Sequence, residues 1–212
     1  MHSRLLAVLS GLLLAACASA PAGSTDPALQ SLRLAQLDEV YRRPGVDPGR
    51  WNALYVGAPE IVYDQGSRGD SRYRKAEDFE LDEKEQRLVH EKLVQAIKAE
   101  WGKAPGWTLV DAPGPDVLVL QTRLTDFYLY APLRDDYPGR RRTYTRESSR
   151  FVLDVRLLAP DGELLLESRD RRVTGQRDGR PLELSSSVFY WGQLSRNFQS
   201  WARQLRPALD SS

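Results

Sequence analysis

Two residue types that carry much of protein chemistry are nearly missing from this 212-residue chain, which has one cysteine, Cys17, and two histidines, His2 and His90. A single cysteine excludes an intramolecular disulfide, so the fold has to stand on packing. A zinc centre draws on several Cys and His ligands, and that supply does not exist here. His90 would be the base of any Ser-His-Asp triad, yet no Gly-x-Ser-x-Gly elbow surrounds the cluster Ser185-Ser186-Ser187, which reads as a helix start. The glycines fall in turns, so neither a phosphate-cradling loop nor a dinucleotide fingerprint is present. Net charge is missing too. Thirty Lys and Arg face 29 Asp and Glu, and no global field steers the chain towards nucleic acid. The longest apolar run, residues 5–14, falls short of the roughly 20 residues that a helix needs to cross a bilayer.

That short run is informative in its setting. Arg4, the apolar stretch from Leu5 to Leu14 and the small residues Ala15 and Ala16 have the three-part layout of an export signal. Leu14-Ala15-Ala16-Cys17 resembles the lipobox of bacterial lipoproteins. The resemblance implies a diacylglycerol on the Cys17 sulfur, cleavage before Cys17 and acylation of the new amino group. Cleavage at an Ala-x-Ala site, for instance after Ala20, is the competing reading and would discard Cys17. Ala18 at the second mature position resembles lipoproteins sent to the outer membrane. Buried acyl chains contribute roughly 0.8 kcal/mol per methylene, so several chains make a stable anchor.

The expected organisation is a lipoprotein signal peptide at 1–16, a flexible tether at 17–30, a single α/β periplasmic domain at 31–209 and a tail at 210–212. The tether is small, polar and proline-containing, "ASAPAGSTDPA". Removal of Arg4 with the leader leaves 29 basic against 29 acidic side chains.

Within the domain, "YRRPGVDPGRW" (41–51) carries two Pro/Gly pairs and predicts an irregular loop. "WNALYVGAPEIVY" (51–63) predicts a first strand, bent at Gly57-Ala58-Pro59. Asp82 with Glu85 forms a capping-box pattern opening a helix on Leu88, Val89, Leu93, Ala96, Ile97 and Trp101, stopped by Gly102. Strands are predicted at 107–112, 116–131, 150–158 and 163–173, the last two joined at Ala159-Pro160-Asp161-Gly162. A final helix over 185–207 places Val188, Trp191, Leu194, Phe198, Trp201 and Leu205 inward and ends at Pro207. The expected fold is α/β (α+β): a two-layer sandwich with a mixed sheet of about five strands, two helices on one face, and the order β-α-β-β-β-β-α.

Three stretches, "VYRRPGVDPGRWNALYVGAPEIVY" (40–63), "FVLDVRLLAPDGELLLESRDRR" (151–172) and "FQSWARQLRPALD" (198–210), resemble the bacterial lipoproteins grouped as domain of unknown function 3313. The resemblance implies an outer-membrane lipoprotein and brings no catalytic residue with it.

Asp111, Asp116, Asp126, Asp135 and Asp136 are the carboxylates from which an acid/base pair of the glycosidase type would be drawn. The stretch 134–150 reads as a solvated hairpin loop; the competing reading is a partner contact in which the guanidinium forks of Arg140, Arg141 and Arg142 meet phosphates or carboxylates of lipopolysaccharide, lipid or a partner protein, with peptidoglycan a further envelope partner of the module. Phe189 and Tyr190, on the flank of the last helix, are expected to face outward as a second contact. The functional expectation is therefore a non-enzymatic binding or assembly module, needing no cofactor or metal, lipid-anchored in the outer membrane and facing the periplasm. A peptidoglycan- or glycan-acting hydrolase is the alternative.

Overall fold

The computed structural model describes residues 23–34, 36–64, 79–102, 106–130, 133, 144–145, 147–174, 183–184 and 186–210. In chain order its strands are β1 (Gln30–Ser31), β2 (Glu39–Arg42), β3 (Ala53–Val56), β4 (Glu60–Tyr63), β5 (Thr108–Val110), β6 (Val117–Leu129), β7 (Tyr144–Thr145), β8 (Ser149–Leu158), β9 (Leu164–Thr174) and β10 (Glu183–Leu184). Helix α1 (Glu83–Trp101) lies between β4 and β5, and α2 (Ser187–Leu205) follows β10.

The mixed α+β fold is as expected, but the sheet is larger and the order differs from β-α-β-β-β-β-α: among the described residues four strands precede α1 and six lie between α1 and α2. Eight strands form one mixed sheet in the order β1-β2-β9-β8-β6-β3-β5, with β4 also on β6, and β7 and β10 pair separately. The two extra strands at one edge come from what reads as loop. Residues 39–42 pair with β9 before the first proline, Pro44, ends the strand, and β1 pairs with them. The segment 51–63 is divided at Gly57-Ala58-Pro59. Its halves, β3 and β4, pair parallel with successive stretches of β6, at 117–120 and 123–127. Proline cannot donate to a ladder, so the strand breaks where bending was expected.

Helix α1 starts as its sequence predicts. The Glu85 amide donates to Asp82 Oδ1 at 2.8 Å and the Asp82 amide donates to Glu85 Oε2 at 2.8 Å. Its face of Val89, Leu93, Ala96, Ile97 and Trp101 is buried. Helix α2 is capped by Ser186, whose hydroxyl accepts from the Phe189 amide at 3.2 Å. Its buried residues are Tyr190, Leu194, Phe198, Trp201, Ala202 and Leu205.

Two expectations on α2 are corrected. Val188 is 82 % exposed rather than inward, and Tyr190 is 1 % exposed rather than outward. Tyr190 and Trp191 both lie within a turn of Leu194, and the phase that carries Phe198, Trp201 and Leu205 selects Tyr190 and leaves Trp191 half-buried. The Tyr190 ring is apolar enough for the core, and burial pushes its hydroxyl pKa up.

One continuous core joins both helices to the sheet. The Trp101 indole donates to the Ala202 carbonyl at 2.7 Å within it, tying α1 to α2, and Glu100 pairs with Arg203 at 2.9 Å on the rim. His90 is also structural. Its Nε2 lies 3.0 Å from the Val56 carbonyl, which can only accept, so the ring donates and fastens α1 to β3. No helix among the described residues is long and apolar enough to cross a membrane.

Candidate functional site: the open sheet face and its bulge

Alternation divides the strands between two faces. On β6, Leu118, Leu120, Thr122 and Leu124 are buried, while Gln121 and Arg123 between them are exposed. On β8, Phe151, Leu153, Val155 and Leu157 are buried, and Asp154 and Arg156 face outward. The outward face carries a row of opposite charges in direct register. Glu39 of β2 pairs with Arg169 of β9, Arg169 with Asp154 of β8, Asp154 with Arg123 of β6, and Arg123 with Glu60 of β4. Arg169 Nε lies 3.1 Å from Asp154 Oδ1, and Arg123 Nε lies 2.8 Å from Glu60 Oε2. Thr125 donates to Asp154 Oδ2 at 2.9 Å. Exposed pairs of this kind add little stability, but they impose a charge pattern that any partner has to match.

The row ends beside a break in register. Between the pairs Thr125↔Val152 and Tyr128↔Arg150, β6 has two residues, Asp126 and Phe127, against the single Phe151 of β8. This is a β-bulge, and Asp126 takes a left-handed φ of 50° within it. The extra residue shifts the alternation. Phe127 and Leu129 stay in the core at 1 % exposure each, and Tyr128 and Tyr130 are turned to the open face. Without it, the phase of Leu118 to Leu124 would carry both tyrosines under the helices.

The two tyrosine rings meet edge to face, with centroids 4.9 Å apart. The Arg150 guanidinium lies 5.0 Å from the Tyr128 ring centroid and bonds Asp64 Oδ2 at 2.8 Å. Burial, then the neighbouring Glu147, raises the Tyr130 pKa, so its hydroxyl stays protonated at neutral pH. The hydrogen bond to Asp64 raises the Arg150 pKa and keeps it charged. The cluster therefore presents aromatic surface, a fixed cation and carboxylate acceptors together, half-exposed, at one end of the open face.

The residues picked out by the sequence fall differently. Cys17, Arg140, Arg141, Arg142, Asp135 and Asp136 lie outside the described residues. Phe189 is half-buried beside the α2 cap, and Tyr190 is in the core. Asp111 and Asp116 are exposed on the turn between β5 and β6, while Asp126 is exposed at the bulge. Ten residues of strand at about 3.3 Å each put Asp126 on the order of 30 Å from Asp116, several times the separation of glycosidase carboxylates. No group of three or more His, Cys, Asp or Glu side chains suited to a metal occurs among the described residues. The sequence reading missed Tyr128, Tyr130 and Arg150. Their spacing in "DFYLYA" gives no sign of a bulge, because a bulge is defined by the partner strand.

No family model matches the chain, and no curated protein matches it. Among solved structures it is similar to the PelC dodecamer of Paraburkholderia phytofirmans, at 10 % identity and a TM-score of 0.41 over 87 % of this chain and 98 % of that one. It is also similar to a PDZ domain protein of Parabacteroides distasonis, at 13 % identity and a TM-score of 0.43 over 87 % of this chain and 37 % of that one.

Proposed function

We propose that this protein is an outer-membrane lipoprotein, anchored through acylated Cys17 and related to the domain of unknown function 3313 group, whose domain is a non-enzymatic binding or assembly module facing the periplasm. The supporting observation is the bulge at Asp126, where a strained backbone turns Tyr128 and Tyr130 out of the core beside Arg150. Strain of this kind costs of order 1–3 kcal/mol and persists only where surrounding structure holds it, often at a functional site. Tyrosine and arginine are also the side chains enriched in protein interfaces, because each combines a large contact area with polar reach. Arg140, Arg141 and Arg142, ten to twelve positions after Tyr130 in the chain, are a second proposed contact. A glycan-acting hydrolase has less in its favour, given how Asp116 and Asp126 are separated along β6.

Crosslinking and pull-down from envelopes test the module. The wild type is compared with a Tyr128→Ala, Tyr130→Ala variant and with one in which Arg140, Arg141 and Arg142 are replaced by Gln. Loss of a discrete partner in the tyrosine variant is expected; an unchanged partner set in both variants would refute the reading. For the anchor, Cys17→Ser should leave the outer-membrane fraction after a high-salt wash, and retention there would mean that lipidation is not what holds the protein.

A further inference from the structure

A cleft of about 400 Å³ opens between β1, the end of β2 and the Pro44–Asp47 loop, a volume within the range of small-ligand sites. Leu32, Pro44 and Val46 give it an apolar wall, Arg42 and Arg43 bring two guanidinium groups to it, and Asp47 stands at its edge with Oδ1 accepting from the Gly49 amide at 2.8 Å. The two arginines are placed differently. Arg43 is matched by carboxylates, with Asp26 Oδ2 at 2.5 Å and Glu163 Oε1 at 3.3 Å, and it also donates to the Leu164 carbonyl at 2.8 Å. Arg42 donates to two neutral carbonyls, those of Asp210 at 2.9 Å and Val46 at 3.2 Å, and no carboxylate among the described residues pairs with it.

A half-buried guanidinium held only by carbonyls keeps its full charge in a partly desolvated place, an arrangement that an incoming anion relieves. Its planar fork fits the two free oxygens of a phosphate diester. The apolar wall alongside suits the glycerol and first acyl carbons attached to such a group. Position supplies the source. Ser24 and Asp26, which precede Gln30 on the cleft, are held to Glu167 and Arg43, so only the six residues between Cys17 and Ser24 are left to span the gap, about 20 Å at most when extended.

We propose that this cleft takes a phosphate diester through Arg42, the source being a phospholipid headgroup of the leaflet in which Cys17 is anchored. The choice of lipid over a soluble phosphate ester rests on the lipoprotein reading above; the phosphate chemistry does not. Bound this way, the domain would lie with its β1–β2 edge on the membrane and its open sheet face turned aside for a partner.

Hydrogen exchange on the processed lipoprotein in vesicles tests this, after mass analysis of the N-terminal peptide has established its acylation. Phosphatidylglycerol vesicles are compared with vesicles of a phosphate-free glycolipid, and glycerol phosphate is added separately to detergent-solubilised protein. Slower exchange at the amides of residues 45–47 in phosphatidylglycerol, lost in Arg42→Gln, is the expected result. Since Arg42→Gln also removes two structural hydrogen bonds, Ser31→Glu serves as the second variant. It adds a carboxylate on the β1 side of the cleft, opposite Asp47 of the loop, keeps Arg42 itself, and should abolish the lipid effect with the melting temperature unchanged. Protection by glycerol phosphate without a lipid effect would assign the cleft to a soluble phosphate ester and overturn the membrane source. Equal exchange in both vesicle types with no response to glycerol phosphate, or full protection retained in Ser31→Glu, would overturn the site.

Discussion

On β6, Leu118, Leu120 and Leu124 point beneath the helices, and Gln121 and Arg123, one residue away in sequence, point into solvent. The inner face is made of apolar contacts whose worth grows with the area removed from water, roughly 25 cal/mol per Å². The outer face is made of charges set opposite one another across five strands, each pair worth ~1 kcal/mol or less. The same strands therefore serve two ends: the first face holds the fold, and the second displays a pattern while contributing little to stability.

The inner face is most polar on β9. There the inward positions after Leu166 are Ser168, Asp170, Arg172 and Thr174, a polar stripe under the edge of α2. Asp170 is 3 % exposed and pairs with Arg172. It also accepts from the Asp38 amide at 3.2 Å, and Arg172 passes the link to Gln204 of α2 at 2.7 Å. Gln204 donates to Gln36 at 2.7 Å. This chain of polar contacts fixes the β1–β2 connection onto the body where the apolar core runs out.

The largest expected effect comes from the apolar inner face. Leu153→Ala removes a fully buried side chain from a central strand and should cost about 2–5 kcal/mol, read as a lower denaturant midpoint with unchanged slope. Next is the polar stripe. Asp170→Ala leaves Arg172 without its carboxylate and should cost about 2–4 kcal/mol, at the lower end because Arg172 keeps its bond to Gln204 and some access to water. Burial, opposed by Arg172, raises the Asp170 carboxyl above the ordinary carboxylate value. The folded state therefore binds this proton more tightly than the unfolded chain. The resulting stabilisation is complete below the ordinary carboxylate pKa and is lost as pH rises through the raised folded value. Melting curves across the mildly acidic range should show that decline in the wild type and not in Asp170→Ala. The smallest effect belongs to the outer face. Asp154→Ala should cost less than about 1 kcal/mol, and the difference should shrink further in high salt. A cost equal to that of Leu153→Ala would mean that the open face holds the fold as well, and the contrast would fail.

Local signals in the sequence were legible where one residue type forces one geometry. The Asp82–Glu85 capping box opens α1 as its pattern says, and Gly162, at φ 88°, makes the β8–β9 turn. The sheet was undercounted because β1 and β2 are short and lie among prolines and glycines, and because the parallel pairing of β3 and β4 with β6 depends on a crossover through α1. The α2 face was misread at its first turn, where adjacent aromatic residues fit the same helical stripe and packing decides between them. The candidate site was least legible, since the bulge at Asp126 exists only in the register between β6 and β8.

The central claim, that the open face at the bulge is where the module meets its partner, is tested most directly by site-specific photo-crosslinking in living cells. A photoreactive residue is placed at Tyr128, at Tyr130 and, as a control, at the fully displayed Val188 on α2. Adducts of one discrete mass from positions 128 and 130, and none from 188, are the predicted result. Adducts from Val188 alone, or the same adducts from all three positions, would contradict it.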